Sequence, residues 1–237
     1  MRQIYFLALA LGLSVSTAGS AYEALITNER SGDVIRIDQQ GQTISVIPVC
    51  KRPRGMVRGL KEHEIIIACS DDDKVVVYDH FAQLITREFF DIPGAMSLEV
   101  HPNTSRLFVT NEGLSRASVI DLVSGLKIAD LPTGPEPDGI AVNETGSKIF
   151  VVSENAGLIH VFDGTSYRPI AIVKTNLRPR RAVLQGEELW VSSEMGSRVE
   201  VFEAETYGKI DEIVFAPKGF RPEQMTPVDI LFNPTAD

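Results

Sequence analysis

Two stretches carry the residue types best suited to chemistry: Cys50-Lys51-Arg52-Pro53-Arg54-Gly55-Met56 and, far downstream, Leu177-Arg178-Pro179-Arg180-Arg181-Ala182. Converging guanidiniums grip carboxylate or phosphate through paired N–H···O bonds. Lys51, Arg52, Arg54, Arg178, Arg180 and Arg181 are therefore candidate anion ligands, and Arg221, beside Pro222, is a further one. The prolines stiffen these segments. The same clustering arises if each arginine pairs with an acid on a neighbouring element. Sequence leaves both readings open.

Other chemistry is thinner. Ser70-Asp71-Asp72-Asp73 offers three hard oxygen donors in a row but lacks the ligand spacing of an EF-hand, so a solvated turn is expected. His63, His80, His101 and His160 fall at different phases of the repeat described below, so no shared metal site is expected. There is no CxxCH haem motif and no GxSxG elbow. No catalytic set is recognisable, and Trp190 is expected in the core. Cys50 and Cys69 are a possible disulfide, with two small core residues as the alternative.

The elements that must position these residues form a repeat. Five similar segments run over 24–38, 66–79, 107–121, 149–163 and 189–203. Asn28, Ser70, Asn111, Ser153 and Ser193 end their first strands at steps of 42, 41, 42 and 40 residues. Asp38, Asp79, Asp121, Asp163 and Glu203 close their second strands. Two slots in phase across five copies establish a repeat. Each copy alternates apolar and polar residues between turn signals, which reads as antiparallel β-structure. Four short strands in each repeat of about 40–48 residues is the pattern of a β-propeller blade. The expectation is an all-β propeller of four-stranded blades with five repeats.

Labelling strands A to D outward from the axis, small-residue segments such as Gly139–Val142 are strand A. The D-to-A links and the B-to-C turns then share one face. Both Arg-Pro-Arg stretches should sit there near the channel mouth, opposite Glu29, Asp71, Glu112, Glu154 and Glu194.

The segments ITNERSGDVIRID, CKRPRGM, ACSDDDKVVVYD, GPEPDGIAV, RPRRAVLQGEELWVSSEMGSRVEVF and GFRPEQMTPVDI resemble the YVTN-type β-propeller family. More narrowly, they resemble the periplasmic propellers associated with PQQ-dependent alcohol catabolism. The resemblance runs from about Tyr22 to the end. It implies a seven-bladed design and an association with quinoprotein oxidation, and it supplies no catalytic residues. Against that design the chain reads as about two blades short. The alternative is that a strand around Val228–Phe232 joins the first blade and closes a five-bladed ring.

Residues 1–21 read as a cleavable signal peptide: Arg2, an apolar run too short to span a bilayer, then small residues. Residues 22–237 form the propeller domain. No later segment is a membrane span, and export to a periplasm is expected. A net charge of −9 argues against a nucleic-acid binder. The expected role is a binding or scaffold module whose Arg-rich face takes an acidic small molecule or a periplasmic protein partner. No metal or cofactor is expected, PQQ entering only through the resemblance. The alternatives are a lactonase-type hydrolase, which rests on fold analogy, and a non-functional remnant.

Overall fold

The computed structural model describes residues 24–232, so the expected signal peptide lies outside the described residues. The first sheet has three strands, β1 (Ala24–Asn28), β2 (Asp33–Ile37) and β3 (Thr43–Pro48). The second has β4 (Pro53–Arg58), β5 (Glu64–Cys69), β6 (Lys74–Asp79) and β7 (Leu84–Phe89). The third has β8 (Ala95–Val100), β9 (Arg106–Asn111), β10 (Arg116–Asp121) and β11 (Lys127–Pro132). The fourth has β12 (Pro137–Val142), β13 (Lys148–Ser153), β14 (Leu158–Asp163) and β15 (Pro169–Lys174). The fifth has β16 (Pro179–Gln185), β17 (Glu188–Ser193), β18 (Arg198–Glu203) and β19 (Lys209–Val214). Neighbours within each sheet follow chain order and pair antiparallel. The strands that open successive four-stranded sheets pack on one another, β4 on β8, β8 on β12 and β12 on β16. These are propeller blades, with strand A innermost. The first blade has no strand A among the described residues.

The repeat slots have local causes. The closing acid of strand C accepts hydrogen bonds from two backbone N–H groups of the C-to-D turn, as Asp79 does from Phe81 and Ala82, and Asp163 from Thr165 and Ser166. Those from Ala82 and Ser166 hold Asp79 and Asp163 below the usual carboxylate range. The first slot needs a one-residue correction. Strand B of the second blade ends at Cys69, so Cys69 and not Ser70 is the partner of Asn111, Ser153 and Ser193. Ser70 therefore takes the position of Glu112, Glu154 and Glu194, and Asp71 lies one residue beyond it. Ser70–Asp72 form a short 3-10 turn, as Glu112–Leu114 do in the third blade.

Apolar burial lies between blades. Ile67, Val76 and Tyr78 pack with Val34 of the first blade. Ile66, Val75 and Val77 pack with Leu98, Val109 and Ile120. Phe108 and Val119 pack with Ile140, Val151 and Phe162, and Phe150 and Val161 with Ala182, Val191 and Phe202. Among the described residues no core cluster joins the fifth blade to the first. Ile26 shows the consequence. It occupies the strand-B slot of Ile67, yet it is 45% exposed where Ile67 is 0%. Ile67→Val is expected to cost about 0.5–1.5 kcal/mol in urea unfolding. Ile26→Val is expected to stay within about 0.5 kcal/mol. Equal costs would mean that both flanks are covered.

The expected strand at Val228–Phe232 does not form. This segment lies instead on the fifth blade. The Ser192 hydroxyl donates to the Val228 carbonyl at 2.9 Å, and the Phe232 ring meets Trp190 edge-on at 5.2 Å. Trp190 is thus half-buried under the tail rather than in the core, and its indole N–H donates to Glu188 at 3.0 Å. The Asp229 carboxylate takes a potential ladder donor, the Ile230 N–H, at 2.8 Å.

Candidate functional site

The mouth is built from one device used four times. The residue before each strand A is left-handed: Arg52 at φ 51°, Gly94 at 64°, Glu136 at 53° and Arg178 at 59°. Its carbonyl accepts the N–H of the first B-to-C residue of its own blade: Ser70 at 3.1 Å, Glu112 at 3.0 Å, Glu154 at 2.8 Å and Glu194 at 2.9 Å. The A–B ladder then slips just after Pro53, Ala95, Pro137 and Pro179. Such irregularities re-aim side chains. The two residues inside each slip are Arg54-Gly55, Met96-Ser97, Asp138-Gly139 and Arg180-Arg181. All but Gly139 line one cavity of about 270 Å³, together with Thr27, Glu29, Val228 and Asp229. Gly139 is a close-approach position, since a Cβ there would lie 2.6 Å from the Arg180 carbonyl oxygen.

The links are tied to the following blade by differing chemistry at one position. Cys50 is bonded to Cys69 as a disulfide. The Gly134 N–H donates to His160 Nε2 at 2.9 Å, and burial pushes the His160 imidazolium pKa down, in keeping with a neutral acceptor. The Asn176 N–H donates to Glu200 at 2.7 Å. Cys50 lies two residues past β3 rather than at its end, which lets the link turn back onto β5.

The candidate arginines divide by what answers them. Arg52 and Arg178 are straps across adjacent B-to-C turns. Arg52 lies 3.5 Å from both Glu29 and Asp71, and Arg178 contacts Glu154 and reaches Glu194 at 3.6 Å. Lys51 lies 3.6 Å from Asp72. Arg180 sits deepest of the three mouth arginines in carboxylates. Its Nε is 2.9 Å from Asp138 and its Nη1 2.8 Å from Glu154, with Glu194 at 3.7 Å. Arg54 and Arg181 belong to strand A rather than the link. Each faces a loosely held carboxylate. Arg54 Nε is 3.5 Å from Glu29, whose side chain is 48% exposed. Arg181 Nε is 3.2 Å from Asp229, whose side chain is 76% exposed. Both Nε–H groups are buried and make no hydrogen bond, because neither carboxylate lies along the N–H direction. Arg221 is exposed and stands apart, its backbone N–H donating to Gln224 at 2.9 Å.

Four residues of the mouth escaped the sequence reading. Asp138 occupies the slot of Arg54 and Arg180, so its place was readable from the repeat. Burial pushes its carboxyl up to about 6, against the pull of Arg180. The Ser97 hydroxyl donates to it at 3.3 Å. Glu99, two residues down β8 from Ser97, stands where the other inner strands have Val57, Ala141 and Val183. Burial pushes it up to about 7, with Arg181 acting in the other direction. The lone acid in an apolar slot was its signal. Asp229 gave none, because its position depends on the tail. The histidines do not converge: His101 accepts from the Asn103 N–H at 3.1 Å, and His63 lies 3.6 Å from Asp79. Among the described residues no group of three or more His, Cys, Asp or Glu is arranged to hold a metal ion.

No family model matches the chain. No curated protein matches it. Among solved structures it is similar to the hydrazine synthase of Kuenenia stuttgartiensis, with a TM-score of 0.69 and 16% identity over 78% of this chain. The match covers 60% of that chain. At this identity the likeness shows the fold alone.

Proposed function

We propose that the chain is an exported β-propeller binding module, and that the channel mouth takes a small acidic ligand on Arg54 and Arg181. One observation carries the reading. Three buried guanidinium Nε–H groups, those of Arg54, Arg180 and Arg181, line a single cavity without hydrogen bonds, and of these Arg54 and Arg181 have as their ion-pair partner an exposed, displaceable carboxylate. Exposed ion pairs are worth about 0–1 kcal/mol, so a ligand carboxylate displaces Glu29 or Asp229 at little cost. Arg52, Arg178 and Arg180 hold blades together instead. A mouth of about 270 Å³ is smaller than usual ligand pockets. It suits a compact organic acid better than a three-ring tricarboxylate such as PQQ. Export is supported by the apolar N-terminal run and by the Cys50–Cys69 disulfide, which persists in oxidising compartments. A place beside periplasmic alcohol oxidation follows from the YVTN-type resemblance. The hydrolase alternative has fold analogy behind it and no assigned residues.

The test is calorimetric titration with acetate, lactate and succinate in turn. At least one should bind, and Arg54→Ala/Arg181→Ala should weaken it by at least about tenfold, the loss of one charge-assisted hydrogen bond. Arg221→Ala should bind like the parent. A double variant that folds and binds unchanged refutes the assignment.

A further inference from the structure

We infer that the mouth takes up its acid together with a proton, because Arg54, which receives the ligand, faces Asp138 across the same cavity, and Arg181, which also receives it, is the cation acting on Glu99. This rests on the reading of the mouth as an acid-binding site and adds a linkage to it.

The argument starts from placement. Asp138 and Arg54 line the same cavity. The groups facing Asp138 are Arg180 from β16, Arg54 from β4, Ser97 from β8 and Glu154 from the turn after β13. The cations favour its charged form, whereas Glu154 and burial oppose it. Arg180 is committed to Glu154 and Asp138 together, so Arg54 is the adjustable cation. Glu99 lies deeper on β8, where Val57, Ala141 and Val183 hold the equivalent slots. The cation acting on it is Arg181, itself opposed by Asp229 of the tail.

A ligand carboxylate on Arg54 and Arg181 neutralises the lesser of the two cations facing Asp138 and the cation acting on Glu99. It also brings a negative charge into a partly desolvated space beside two acids. A like charge nearby and a neutralised cation both favour the protonated carboxyl. Protonated Asp138, which lines the cavity, then becomes a hydrogen-bond donor toward the ligand rather than a repelling charge. By reciprocity, if the ligand promotes protonation, protons promote binding by the same factor. Both acids start with raised values, so the coupling falls near neutral pH. The sign is fixed: affinity is high at pH 6 and declines as pH rises toward 8.

Calorimetry with lactate, which stays anionic throughout, is run at pH 6, 7 and 8 in buffers of differing ionisation heat. The expected result is net proton uptake at pH 7 and binding about fivefold weaker at pH 8 than at pH 6, the part of one full unit of coupled shift that falls within that window. Glu99→Gln/Asp138→Asn should flatten the pH profile. If that variant fails to fold, carboxyl carbon NMR of the parent protein gives the same answer, since lactate should move the Asp138 or Glu99 titration upward. Lactate binding that is independent of pH, without proton uptake, overturns this inference and leaves the acid-binding mouth intact. No binding of acetate, lactate or succinate at any pH removes both.

Discussion

Replacing Arg180 by Ala lowers the unfolding free energy by about 3–5 kcal/mol at pH 8, the usual cost of stripping one partner from a buried ion pair. The Arg180 side chain is 19% exposed, and those of its partners Asp138 and Glu154 are 11% and 3% exposed. Removal leaves Asp138 charged in the channel wall without its nearest cation, while Glu154 keeps only Arg178. The loss depends on pH. Asp138 already has a raised pKa, so its ionised form penalises the fold as pH rises through about 6. Below that value the carboxyl is neutral and needs no cation. The deficit should therefore be smaller at pH 5 than at pH 8. Arg221→Ala, on an exposed residue outside the network, should stay within about 0.5 kcal/mol at either pH. Urea unfolding at the two pH values measures all four quantities. A small, pH-independent cost at Arg180 would show that the three-carboxylate nest does not hold the fourth and fifth blades together.

Breaking the Cys50–Cys69 bond should cost about 3 kcal/mol, because it closes a loop of 19 residues in the unfolded chain. The variant to use is Cys50→Ser/Cys69→Ser. Serine fits at 69, since the same slot holds Ser153 and Ser193 in later blades. Cys50 corresponds to Gly134 and Asn176, so a small residue fits there too. Reductant should lower the urea midpoint of the parent to that of the variant and leave the variant unmoved. The links before β12 and β16 lose nothing, being held by His160 and Glu200. A parent protein indifferent to reductant would mean that the first link is tied by packing alone.

The repeat made much of this legible. Strand order, the shared face of links and turns, and the alternative of arginine–acid pairing all follow from phase. The individual fates of the arginines do not. Arg178 and Arg180 are two residues apart and belong to different structures, a strap and a buried pair. Arg180 and Arg181 are adjacent, yet one is enclosed by acids and the other opens on the cavity. The slip at the start of each strand A decides this, because it breaks the alternation that would otherwise assign each side chain a face. Cys69 and Ser70 were out of phase by one because Ser70 resembles the polar residues Asn111, Ser153 and Ser193 that end the other B strands, whereas the residue in their slot is a cysteine. The tail defeated the pattern differently. Val228–Phe232 matches a strand A, but its own Asp229 competes for the backbone and for Arg181. Asp138 and Glu99 are legible in the sequence, since both occupy informative slots in the repeat, an acid where other strands A carry arginine or an apolar residue.

The division of the arginines is the claim on which the account stands, and arginine Nε–H resonances report on it one residue at a time. Proton–nitrogen correlation spectra of the ¹⁵N-labelled protein, assigned with single Arg→Lys variants, are recorded as lactate is added. The account predicts the largest progressive shifts at Arg54 and Arg181, a smaller one at Arg180 as its partner Asp138 takes up a proton, and none at Arg52, Arg178 and Arg221. Shifts centred on Arg180, or shifts spread equally over all six, would contradict it.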